Sequence, residues 1–120
     1  MGFSIKNSKE LTFNDKTIYV SQFGIDKIIE KDGCVAVLLT CPKLPVIFED
    51  QNCNVFVCDK FGNVLWVVSD VNQNRYPQNH CLFTEIVLNE KGNLVLMNWC
   101  DFNLIVDFQT GTVLEKYFDR

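Results

Sequence analysis

The side chains able to do chemistry are few, and their spacing does not suit them to it. Cysteines stand at Cys34, Cys41, Cys53, Cys58, Cys81 and Cys100, and no two of them form a Cys-x-x-Cys pair. That pair is the usual arrangement by which thiolates share a zinc ion or a redox bond. The single histidine, His80, adds little to a ligand set, so the expectation is no metal site. A Cys–His nucleophile would need Cys41 or Cys100 to reach His80 through space, because being next to Cys81 in the chain does not orient a dyad. The acidic pair Glu49-Asp50 reads as solvated turn residues. No glycine-rich phosphate loop and no Gly-x-Ser-x-Gly elbow is present. These patterns predict a protein that is not an enzyme and carries no cofactor, with thiols kept reduced.

Recognition chemistry is better supplied. Two long segments join apolar runs: 40–53, which holds Glu49 and Asp50, and 70–82, which holds Asp70, Arg75, Tyr76 and His80. A shorter join adds Trp99 and Asp101. The carboxylates suit cationic side chains, and Tyr76 and Trp99 have the size and mixed polarity of interface anchors. Long irregular loops in a small domain are uncommon and often functional. These eight residues form the candidate partner-binding set. Pro42-Lys-Leu-Pro45 within the first loop reads as a rigid bend.

Composition narrows the partner. Fifteen acidic residues against eleven basic ones give a net charge of −4. Nucleic acid rewards clustered Lys and Arg and is not expected as a ligand. A basic protein surface fits better. Apolar residues are 48% of the 120, enough for one domain spanning 1–120 with a real core and too many for a disordered chain. No run approaches a membrane span. The first residues do not lay out an export leader, so a cytoplasmic location is the expectation.

The elements that must hold these loops are strands. Short runs of Val, Ile, Leu and Phe alternate with Gly, Asn and Asp turns, and no 3.6-residue period persists. The chain also repeats itself. Asn54-Val-Phe-Val-Cys-Asp-Lys-Phe-Gly62-Asn-Val-Leu65 matches Asn103-Leu-Ile-Val-Asp-Phe-Gln-Thr-Gly111-Thr-Val-Leu114, an offset of 49. Upstream, Ile28-Ile-Glu-Lys-Asp-Gly33-Cys-Val-Ala-Val37 matches Val87-Leu-Asn-Glu-Lys-Gly92-Asn-Leu-Val-Leu96, an offset of 59. Each unit is therefore two hairpins. The pattern predicts strands at 25–30, 34–39, 54–59 and 63–69, then at 83–88, 93–98, 103–108 and 112–118, with a half unit at 9–22. The apolar stripe Val64-Leu-Trp-Val-Val68 reads as a strand buried on both faces. In such meanders the short turns share one end, and the joins 40–53, 70–82 and 99–102 share the other.

An antiparallel four-stranded meander repeated about every 50 residues resembles a β-propeller blade. Asp59, Gly62, Val64, Leu65 and Trp66 are similar to the outer hairpin of quinoprotein-type blades. In the second copy Gly111, Val113 and Leu114 match, while Phe108 stands for the Asp and Glu115 for the Trp. The resemblance implies an all-β fold of two blades, 25–69 and 83–118, plus the half blade. That is an open half-propeller, an array completed by forming a homo-oligomer, or a two-sheet β-sandwich that borrows the hairpin. In size, acidity and truncated blade array the chain also resembles bacterial immunity proteins of contact-dependent growth inhibition systems. That resemblance implies neutralisation of a basic nuclease toxin by covering its active site. The alternatives are a small-ligand or carbohydrate-binding, lectin-like domain that stacks its ligand on Trp66, Trp99 or Tyr76, and a propeller fragment acting as an oligomeric scaffold.

Overall fold

The computed structural model describes residues 2–21, 24–40, 55–68, 83–98 and 102–118. Among them the fold is all-β, with eleven strands in three antiparallel sheets. The first sheet is β1 (Phe3–Lys6), β2 (Glu10–Phe13) and β3 (Lys16–Val20). The second is β4 (Ile25–Lys31), β5 (Cys34–Leu39), β6 (Val55–Asp59) and β7 (Val64–Val67). The third is β8 (Phe83–Leu88), β9 (Leu94–Asn98), β10 (Phe102–Val106) and β11 (Val113–Phe118). Within each sheet, neighbours in sequence are neighbours in space. Three sheets replace the two-sheet sandwich. The half unit also gains a strand, β1, which pairs Phe3 with Phe13 and Ile5 with Leu11.

Turn chemistry places the strand ends. Asn7-Ser8 and Asn14-Asp15 carry φ values of 54°, 58°, 52° and 70°. Paired positive φ is the tight hairpin geometry whose twist matches the flanking strands, and Asn and Asp tolerate it better than most residues. The β6–β7, β8–β9 and β10–β11 turns use a different device. Asp59 Oδ1 accepts the backbone N–H groups of Phe61 and Asn63, both at 2.9 Å. Asn89 does the same for Lys91 and Asn93 at 3.0 and 2.9 Å. Asp107 Oδ2 accepts from Gln109 and Thr110 at 3.2 and 2.9 Å. The last turn is one residue longer: Asp59 N–H closes on the Asn63 carbonyl, whereas Asp107 N–H closes on that of Thr112. Asp107 therefore does the work of Asp59, and the offset of 49 that aligned Phe108 with it slips by one residue at this point.

Isolated hairpins are marginal in water, so stability must come from sheet-to-sheet packing. The second sheet lies in the middle. One of its faces offers Ala36, Leu38, Val55, Val57, Trp66 and Val68 to Phe83, Ile86, Leu94, Leu96, Leu104, Val106 and Phe108 of the third sheet and its turn. Its other face offers Val35, Val37, Phe56 and Cys58 to Leu11 of the first sheet, with Phe3, Ile18 and Tyr19 packed alongside. Burial on both faces explains why β5 reads Cys-Val-Ala-Val-Leu-Leu without alternation. Each fully buried aliphatic side chain contributes about 1.5–3 kcal/mol. Double burial stops short of β7, contrary to the sequence expectation. Val64 and Leu65 are 51% and 44% exposed, because β7 is the outer strand of its sheet and a bulge at Leu65 turns it outward.

Candidate functional site

All eight residues singled out from sequence, Glu49, Asp50, Asp70, Arg75, Tyr76, His80, Trp99 and Asp101, lie outside the described residues. So do Cys41, Cys53, Cys81 and Cys100. The described cysteines, Cys34 and Cys58, are free thiols, the first half-buried and the second buried. Burial, then the charges of Asp59 and Cys34, push the Cys58 thiol up to about 11. That makes it a poor nucleophile. Among the described residues no group of three or more His, Cys, Asp or Glu side chains gathers as a metal ion would need. Trp66 is not a sugar platform. It is 4% exposed, and its Nε1–H donates to the Phe108 carbonyl at 2.8 Å.

What the described residues do build is a repeated joint between sheets. The three outer strands carry the same bulge, at Ile18, Leu65 and Leu114. After the bulge, Tyr19 pairs with Leu11, Trp66 with Val57, and Glu115 with Ile105. These three residues therefore hold one register position and face the same way, toward the next sheet in the chain. Tyr19 meets the second sheet, its ring 4.9 Å from that of Phe56. Trp66 meets the outer turn of the third sheet. The turns come in close: a Cβ on Gly62 would lie 2.7 Å from the Ile18 carbonyl oxygen, and one on Gly111 2.6 Å from Trp66 Cδ2. Both glycines have positive φ, 86° and 75°. Only glycine combines that backbone with such close approach.

The third sheet repeats the pattern up to the joint. Val87, Val95 and Ile105 lie side by side in register, as Ile29, Ala36 and Val57 do in the second sheet. At the end of that row the second sheet has buried Trp66 and the third has exposed Glu115. Here an open cleft of about 390 Å³ is lined by Asn89, Glu90, Lys91, Asn93, Ile105, Leu114 and Glu115. Leu114 is 53% exposed beside it. Among the described residues the ion pair is Lys27 to Glu85 at 3.0 Å, between β4 and β8, and Glu115 forms none.

The outer face of the first sheet is finished differently. Ser4, Thr12 and Thr17 stand in register across it. Ser4 Oγ lies 2.9 Å from Thr12 Oγ1, and Thr17 Oγ1 donates to Glu10 at 2.9 Å. A self-satisfied polar face of this kind ends an array. The row Val87, Val95, Ile105 does not.

Sequence reasoning noted that Glu115 stands where the first copy has Trp66, but not that this position faces outward at the end of the sheet stack. The repeat alignment held the signal; the direction of each face did not follow from it. No helix of the described residues is long and apolar enough to cross a membrane. No curated protein matches this chain. A family model described as a domain of unknown function, DUF7957, matches residues 3–118, and the chain belongs to that family.

Proposed function

We propose that this chain is a protein-binding module that acts by contact and turns nothing over, and that its partner is basic. The observation that carries the reading is the open cleft on the third sheet's outward face, where half-buried Ile105 and exposed Leu114 are flanked by Glu90, Lys91 and Glu115. An apolar centre with a charged rim is the anatomy of a protein interface. The net charge of −4 gives the partner's sign, since opposite charge speeds encounter and disfavours wrong partners. The sharper form of the proposal is an immunity protein in the cytoplasm that covers the active site of a nuclease toxin. A nuclease must attract phosphates, so the surface around its site is positive. Glu49, Asp50, Asp70, Arg75, Tyr76, His80, Trp99 and Asp101 remain the candidates for a second contact region on the long loops.

The test is co-purification with basic proteins of the source cell, followed by calorimetry of the isolated pair. A 1:1 complex that weakens steeply between 50 and roughly 300 mM salt, as screening of opposed charges requires, supports the proposal. A chain that holds no protein partner and instead turns over a small substrate overturns it.

A further inference from the structure

The cleft has two filled counterparts within the same molecule, and they state what fits it. At the first joint, the Gly62 turn of the second sheet lies on Ile18 beside Tyr19. At the second joint, the Gly111 turn of the third sheet lies on Trp66. In both cases the occupant is the turn of a β-hairpin, with a glycine where the approach is closest. The third position, at Leu114 and Glu115, is built by the same bulge and the same register.

The chemistry of the third position differs in one respect. Trp66 donates its indole N–H to the carbonyl of the seated turn. The Glu115 carboxylate offers acceptors where Trp66 offers a donor. Its occupant must therefore bring a donor, and Glu90 on the same cleft adds a second carboxylate against the one ammonium of Lys91. A lysine or arginine satisfies both carboxylates through charge-assisted hydrogen bonds. The first sheet of a second copy is a poor occupant, because Ser4, Thr12 and Thr17 there are already bonded among themselves and with Glu10.

Resting on the protein-binding reading, we propose that the cleft at Leu114 and Glu115 seats a glycine-turned β-hairpin of a basic partner protein, with a lysine or arginine of that hairpin against Glu115 and Glu90.

The probe is a head-to-tail cyclised hairpin peptide with an Asn-Gly turn and one lysine beside the turn, compared with a twin carrying glutamate there. Each is titrated into the ¹⁵N-labelled full chain. The expected result is amide shifts confined to residues 89–93, 105 and 113–116, with the lysine peptide binding at least about tenfold tighter, one charge-assisted contact's worth. Glu115→Lys should reverse that preference, and Glu90→Lys should weaken it. Shifts elsewhere, no shifts, or equal affinity for the twins would overturn the proposal. So would concentration-dependent sedimentation of the chain alone that Glu115→Lys abolishes, since a second copy would then be the occupant. If the hairpins fail while a basic protein still forms a salt-sensitive 1:1 complex, the seat is wrong and the binding reading stands. If neither binds, both fall.

Discussion

Replacing Gly111 by alanine tests the joint between the second and third sheets. The added Cβ would sit 2.6 Å from Trp66 Cδ2, 2.8 Å from Cγ and 3.0 Å from Cε3. The indole has little room to yield: it is 4% exposed and is tied to the Phe108 carbonyl of the same turn. Two costs then add. A side chain at φ +75° costs about 1–2 kcal/mol. Forcing a methyl into a packed core costs about 1–3 kcal/mol more. The loss of unfolded-state freedom returns about 0.4–1 kcal/mol, which leaves roughly 2–4 kcal/mol of destabilisation. Gly33→Ala is the internal control. Its φ is +79°, yet nothing lies within 4 Å of the added carbon, so it bears only the backbone cost, about 1 kcal/mol net of the same entropy gain. Urea unfolding of the two variants and the parent, with equal slopes, reads the difference. At a slope of about 1.5–2 kcal/mol per M the midpoints should separate by roughly 1 M. Equal midpoints for Gly111→Ala and Gly33→Ala would mean that the turn does not press on Trp66, and the seat inferred for the third sheet would lose its template.

Trp66→Phe removes the indole donor and leaves the Phe108 carbonyl without that partner; a loss of about 1–3 kcal/mol in urea unfolding is expected, and an unchanged midpoint would show that water replaces the bond freely. Hydrogen bonds from the backbone of Asn63 and of Thr110 hold the Asp59 and Asp107 carboxyls below their ordinary value of 3.8, and a hydrogen bond from Lys27 does so for Glu85 below 4.5. Lowered folded values mean that the folded chain binds fewer protons, so this stabilisation is complete above the ordinary values and drains away as pH falls through the lower folded ones. The double variant Asp59→Asn, Asp107→Asn keeps the turn acceptors, as Asn89 does, but not the charge that the turn N–H groups favour, so it should start from a lower neutral-pH midpoint and lose less stability below about pH 4. An identical acid limb for parent and variant would rule out these turns as its source. Cys58, buried and raised to about 11, should resist iodoacetamide at pH 8 in the folded chain and react on unfolding; peptide mass spectrometry decides, and rapid native labelling would contradict its burial.

Much of this architecture is local and therefore written in the sequence. Asn, Asp and Gly at the turns, with β-branched runs between them, specify hairpins because φ preferences and strand packing act over a few residues. The repeat offset of 49 was enough to pair Trp66 with Glu115, since two copies of one hairpin share one register. β1 was missed because Phe3–Lys6 is short and mostly exposed, so alternation gives little signal until its partner β2 is known. The slip that aligned Phe108 with Asp59 came from a turn longer by one residue, which an ungapped offset cannot register.

Stacking was left to the tertiary structure. Whether an apolar stripe is buried on one face or two depends on which sheets flank it: β5 is covered on both sides, whereas Val64 and Leu65 of β7 lie open at the sheet's outer edge. The site follows the same rule. In sequence Glu115 is a charged residue at the end of a repeat. In the fold it ends a row whose counterpart in the preceding sheet is covered, so its meaning depends on contacts between residues far apart in the chain. Local propensity sets the hairpins, but the free energy of burying one sheet on another decides which face is closed and which stays open.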